Sequence, residues 1–197
     1  MSINPDQSML SNSLRDSLDV TVLQETVRTD ATFDVIDRPI LRRFADHWQS
    51  LRPAGGFPSR RDLDPTGFPW ALPHIYILDA VPAPDYWRYR LAGNEITGAF
   101  RRNSFRGLSL SDLMSPAARE LVHRRWAPVA EGVGVFMSGA IYSNSENFRN
   151  GGRLLLPLSE TRDRAVTGLV GMSFQDPSQP ARHTGLKLDL FRIDLTD

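Results

Sequence analysis

His74-Ile75-Tyr76-Ile77-Leu78-Asp79-Ala80-Val81 is a largely apolar run, Pro82-Ala83-Pro84-Asp85 interrupts it, and Tyr86-Trp87-Arg88-Tyr89-Arg90-Leu91 follows. In the second run Trp87, Tyr89 and Leu91 fall on one side and Tyr86, Arg88 and Arg90 on the other, the period-two pattern of a half-buried strand. With turn chemistry between them, the two runs read as an antiparallel hairpin. From Gly93 to Glu131 the text becomes polar and helix-like, and apolar runs return at Val135–Tyr142, Arg153–Pro157 and Ala165–Phe174. Two strands, short helices, then longer strands suit one antiparallel sheet covered by the helices inserted between its halves. The expected class is α+β, with an apolar space between sheet and helices.

Upstream of the hairpin, Asp37 followed by Pro39 is a helix start. Ile40, Phe44, Trp48 and Leu51 recur at helical spacing, which predicts an amphipathic helix over 37–52, ended by Pro53-Ala54-Gly55-Gly56. Its apolar stripe must be buried on something, either the outer face of the sheet or a partner, and these four residues are the candidate dimer or partner contact. The stretch Phe57–Pro73 carries Pro58, Pro65, Pro69 and Pro73 and is expected to cross the domain as a loop. Glu95–Phe100 reads as a short helix and Phe105–Met114 as a compact turn, while Ser115-Pro116 caps and opens a longer helix carrying Leu121, Val122, Trp126 and Val129. Residues 1–32, with Leu14, Leu18 and Val22 thinly spread, are expected to be a flexible leader, and 33–176 one domain. Residues 177–197 read as a linker and an apolar tail, in which the parity change at Leu190/Phe191 would require a bulge in a strand.

The chain has 197 residues and 23 acidic against 23 basic side chains, so bulk charge does not point to nucleic acid or an anionic membrane. Lys187 is the one lysine, leaving 22 arginines (23 less 1). Arginine pairs such as Arg42-Arg43, Arg60-Arg61, Arg101-Arg102 and Arg124-Arg125 are interspersed with acids and read as a solvated, ion-paired surface. Arg101, Arg102 and Arg106 crowd one short stretch, and one arginine of this set is a candidate to meet an anionic ligand. There is no cysteine, which excludes disulfides, thiolate metal sites and cysteinyl-flavin chemistry. No run approaches the roughly 20 apolar residues of a membrane span, and Met1–Asp6 is polar and acidic. A cytoplasmic protein is expected.

Catalytic motifs are sparse. Gly171-Met172-Ser173-Phe174 lacks the second glycine of a nucleophile elbow, and Gly151-Gly152 precedes no helix that would receive a phosphate. Asp62-x-Asp64 with His74 downstream is better explained by turn formation than by a metal. For an enzyme on this fold, a small isomerase or hydrolase, His123 with Asp112 is the nearest acid–base pair. A ligand-free docking adaptor is the other alternative.

Several phrases carry a family resemblance. They are Phe44-Ala45-Asp46-His47-Trp48, Pro58-Ser59-Arg60-Arg61-Asp62-Leu63-Asp64-Pro65, Leu72–Asp79, Tyr89-Arg90-Leu91-Ala92-Gly93-Asn94-Glu95-Ile96, Gly107-Leu108 with Leu113, and Leu154-Leu155-Leu156-Pro157-Leu158. From about Ile40 to Phe174 the chain resembles the PAS domain superfamily, within it a group of single-domain PAS proteins common in alphaproteobacteria. The resemblance implies a five-stranded antiparallel sheet, short helices on one face and the N-terminal amphipathic helix on the other. It also implies a non-enzymatic sensory or regulatory role through a small-molecule ligand, a homodimer or a signalling partner such as a histidine kinase. Phe100, Leu113, Met114, Val122, His123, Trp126, Phe136 and Tyr142 are the candidate cavity residues. His123 lies on the helix that supplies the iron ligand in haem-binding PAS proteins, and a flavin would need the aromatic lining of Trp126, Phe136 and Phe100 with Asn94.

Overall fold

The computed structural model describes residues 24–142, 148–176 and 187–196, with the side chains of Asp30, Tyr142, Phe148 and Arg149 outside that description. Among these residues seven strands form one sheet: β1 (Gln24–Ala31), β2 (Ile75–Ala80), β3 (Trp87–Ala92), β4 (Gly134–Tyr142), β5 (Phe148–Leu158), β6 (Gly168–Gln175) and β7 (Lys187–Ile193). Their order is β1-β7-β4-β5-β6-β2-β3, antiparallel throughout except for the parallel pair β1–β7. The block β3-β2-β6-β5-β4 is the expected five-stranded antiparallel layer, and β2–β3 is the expected hairpin.

The two further strands correct the reading of both chain ends. Residues 24–31, inside the stretch read as a flexible leader, form β1, and the apolar tail forms β7, seated between β1 and β4. Both belong to the sheet that the sequence confined to 33–176. Leu14, Leu18 and Val22 and the linker 177–186 lie outside the described residues. The expected bulge at Leu190/Phe191 is absent, since β7 runs in unbroken register with β4 from Gly134↔Ile193 to Gly139↔Leu188. Leu188 and Leu190 are buried on one face of the sheet, Phe191 and Ile193 pack on the other, and both parities are therefore satisfied.

Helix α1 (Pro39–Ser50) lies on β5 and β6, and α3 (Pro116–Ala130) lies on β4 and β5 across the opposite face; α2 (Asn94–Ala99) is the short helix between them in sequence. Leu154 and Leu156 of β5 enter the α1-side core while Leu155 enters the α3-side core. A strand with apolar contacts on both faces has no reason to alternate apolar with polar residues. That explains the unbroken Leu154-Leu155-Leu156.

Pro39 opens α1, where its missing N–H is no loss, and the helix buries Leu41, Phe44, Ala45 and Trp48 completely. The stripe is thus rotated from the one expected: Leu41 and Ala45 face the core, whereas Ile40 and Leu51 are only partly buried. The indole Nε1–H of Trp48 donates to the Pro157 carbonyl (3.2 Å), and its ring packs near Phe33 and Phe57. Gly152 permits this close docking, because a Cβ there would stand 2.7 Å from the Leu41 side chain. The loop from Phe57 is ordered by three short 3-10 turns (Arg60–Asp62, Pro65–Gly67, Leu72–His74), and it buries Phe57, Leu63, Phe68 and Ala71 beneath α1. At the far end of α3, Gly132 takes φ +83°, and its N–H and that of Val133 close on the Val129 and Pro128 carbonyls. No helix among the described residues is long and apolar enough to cross a membrane.

Trp48→Ala is expected to destabilise the fold by about 3–5 kcal/mol, as for an aromatic removed from a closed core; denaturant titration with an unchanged slope and a loss under about 1 kcal/mol would contradict this packing. His47, on the same helix, packs at a tilt against Phe68 (4.9 Å) with Nε2 buried and unpartnered, and burial holds its pKa below the ordinary 6.5. The unfolded chain therefore takes up this proton at higher pH than the folded one. The His47 contribution is complete above the unfolded value and is lost as pH falls below it. The melting temperature is expected to drop between pH 7.5 and 5.5, and His47→Phe to show a shallower drop.

Candidate ligand site on the α3 face of the sheet

The α3 face is floored by aromatic and polar side chains. Tyr76 of β2, Tyr89 of β3, Met137 of β4 and Leu155 of β5 are buried there beneath Trp126 and Val129 of α3, with Phe105 and Leu110 closing the side. The Tyr76 and Trp126 rings stack at 5.9 Å and 16°, Tyr89 meets Tyr76 at 6.2 Å and Phe105 edge-on at 5.1 Å, and Phe100 meets Phe105 at 5.4 Å. Gly171 makes room for the first of these. A Cβ at Gly171 would stand 2.3 Å from the Tyr76 ring, so the ring lies directly on the β6 backbone.

Polar groups interrupt this apolar floor. Arg153 of β5 donates from Nε to Ser173 Oγ of β6 at 2.8 Å. Tyr76 Oη is buried and makes no hydrogen bond; the Ser173 hydroxyl lies close enough to favour phenolate slightly without reaching bonding geometry. Burial pushes the phenols of both Tyr76 and Tyr89 well above their ordinary pKa, against the pull of the Arg153 charge, so both stay protonated donors. On α3, Arg125 holds Glu25 of β1 through Nη2 (2.6 Å) and Nε (2.7 Å). Burial lowers the Arg125 pKa, Glu25 opposes that effect, and the Arg153 charge adds to it.

The expected cavity residues divide between the two faces. Trp126 is central to the cluster, and Phe100, Leu113, Met114 and Val122 are partly buried around it. Phe136 is not there: strand parity turns it to the α1 face, where it stacks on Phe191 at 5.7 Å. The side chain of Tyr142 lies outside the described residues. His123 sets its ring edge-on against Tyr86 of the β2–β3 turn at 3.5 Å, with Nε2 buried and unpartnered. Phe44 and Trp48, expected at a partner contact, are fully buried inside their own chain, so the α1 stripe is not a docking surface.

The acid–base pair is not assembled either. The Asp112 carboxylate accepts from the Ser109 N–H (2.7 Å) and hydroxyl (2.9 Å), bonds that lower its pKa, and it makes no bond to His123. Asp62 caps Ser59 N and Asp64 caps Thr66 N, as turn-formers do, and no group of three or more potential metal ligands exists among the described residues. The residues missed from the sequence are Tyr76, Tyr89, Arg153 and Ser173. Arg153 carried a signal: a charge inside Gly151-Gly152-Arg153-Leu154-Leu155-Leu156 is out of place unless it meets a polar partner.

Glu25→Gln is expected to cost about 1–3 kcal/mol, since it leaves a half-buried guanidinium unpaired. Adding Arg125→Met should recover most of that loss in a denaturation double-mutant cycle; strictly additive losses would contradict the pairing.

A family model described as PAS domain matches residues 36–172. The match spans more than half the chain and includes α1, the hairpin, α3, β4, β5 and the first part of β6. No curated protein and no solved structure gives a match. With the antiparallel order β3-β2-β6-β5-β4 and helices on the α3 face, this assigns the chain to the PAS domain family.

Proposed function

We propose that this chain is a non-enzymatic sensory module, in which a small molecule held between the sheet and α3 changes how the protein meets a signalling partner. PAS domains are, as a class, sensory and regulatory modules. The observation that carries the reading here is the asymmetry of the two faces. The α1 side is closed over the fully buried Phe44, Trp48, Phe57 and Phe68, with His47 Nε2 unpartnered against Phe68, while the α3 side sets a buried, unpartnered phenol close to an arginine inside the apolar layer. Few convergent polar groups in an apolar setting is the chemistry of ligand recognition.

The mechanism is a population shift. α3 rests on the cluster through Trp126 and Val122, and it is tied to β1 by Arg125–Glu25. A ligand that repositions α3 therefore acts on β1, whose outer edge is unpaired among the described residues and carries Val27 at 49 % exposure. That edge is the surface offered to a partner, a second copy of the chain or a signalling protein of the histidine kinase type. Native mass spectrometry of gently purified protein is expected to show a retained small molecule. Trp126→Phe, which keeps an aromatic ring but removes the indole, should retain less of it while circular dichroism stays unchanged. Wild-type protein that flies only at the mass of its bare chain would overturn the sensory reading.

A further inference from the structure

We propose that the occupant of the α3-face site is a small monocarboxylate with an apolar body, received by the Arg153 guanidinium. This rests on the sensory reading above and adds the chemical class of the ligand. Arg153 presents five N–H donors, and among the described residues its one hydrogen bond is from Nε to Ser173 Oγ. It makes no ion pair there: the carboxylate on this face, Glu25, is already bound at 2.6 Å by Arg125. Of two guanidinium groups close enough to feel each other, Arg125 thus has a carboxylate and Arg153 has none, leaving one positive charge without an ion pair in a half-buried setting. A buried charge is stable when paired, and the missing partner is one negative charge.

The geometry narrows the anion further. With Nε engaged by Ser173, the two Nη groups remain as a fork matched to the two oxygens of a carboxylate. Tyr76 Oη, only 2 % of the residue being exposed, is an unpartnered donor beside Ser173, and its phenol stays protonated because burial disfavours the anion. A donor held protonated suits an acceptor ligand. Around these groups the Tyr76–Trp126 stack and Met137 form an apolar wall for the remainder of the molecule.

The test uses the full chain with benzoate and hexanoate as probes, benzamide and hexanamide as their neutral counterparts, and inorganic phosphate as a different anion. Thermal shift and calorimetric titration are expected to show saturable stabilisation by the carboxylates and none by the amides or phosphate. Arg153→Gln should weaken carboxylate binding about tenfold or more, the loss of a charge-assisted contact. Arg88→Gln, on the exposed side of β3, should leave it unchanged. Equal responses to acid and amide, or a carboxylate response untouched in Arg153→Gln, overturn the carboxylate assignment and leave the sensory reading standing. A response to neither probe class, with no retained molecule in the native mass spectrum, removes both. The wild-type comparison of acid with amide decides the matter by itself if Arg153→Gln fails to fold.

Discussion

From Leu154 to Leu158, strand β5 has no solvent side. Leu154 and Leu156 press into the core beneath α1, and Leu155 into the core beneath α3, so two apolar layers share one backbone. Each fully buried leucine contributes on the order of 1.5–3 kcal/mol of transfer free energy, so both helices are held to the sheet by the same short segment. The neighbours obey the same constraint: Phe136 and Met137 on β4, Val170 and Leu169 on β6, and Ile193 and Leu190 on β7 split between the faces. Lengthening the sheet by β7 and β1 follows from it as well, since Leu188, Leu190 and Ile193 find cover on both sides only beside β4.

The two layers differ in kind. On the α1 side, Phe44, Trp48, Phe57 and Phe68 are sealed from solvent, Trp48 Nε1 finds a backbone partner, and the unpartnered His47 Nε2 sits against Phe68 at the side of the helix. On the α3 side, Tyr76 Oη has none, Arg153 carries a charge into the layer, and the covering residues Val122, Leu113, Met114 and Phe100 are only partly buried. A face that sets an unmet phenol beside a charge under a looser roof is the one that can exchange its own contacts for a ligand's, because less packing is lost when α3 moves.

The hairpin, α1, the Ser115-Pro116 helix start and the antiparallel core were legible because each rests on local chemistry: alternation, proline at the first helical turn, a hydroxyl cap. The parity of buried strands was not. When both faces are covered the alternation that reveals direction disappears, which is why Phe136 was expected beside Trp126 and lies on the other side, and why Leu190/Phe191 looked like a bulge. β1 was hidden for a different reason. Gln24–Ala31 is polar and mostly exposed, and it is a strand only because β7 offers it an edge. The site was half legible: Trp126 stood out by spacing, whereas Arg153 and Tyr76 meet only through the pairing of β5 with β6 and β6 with β2.

Amide hydrogen exchange under native conditions tests the division between a closed and a responsive face most directly. Slowest exchange is predicted in β5 at Leu154–Leu156 and in α1, with α3 and α2 opening at lower free energy. If α3 is protected as strongly as α1, or α1 opens first, the two-faced account is contradicted.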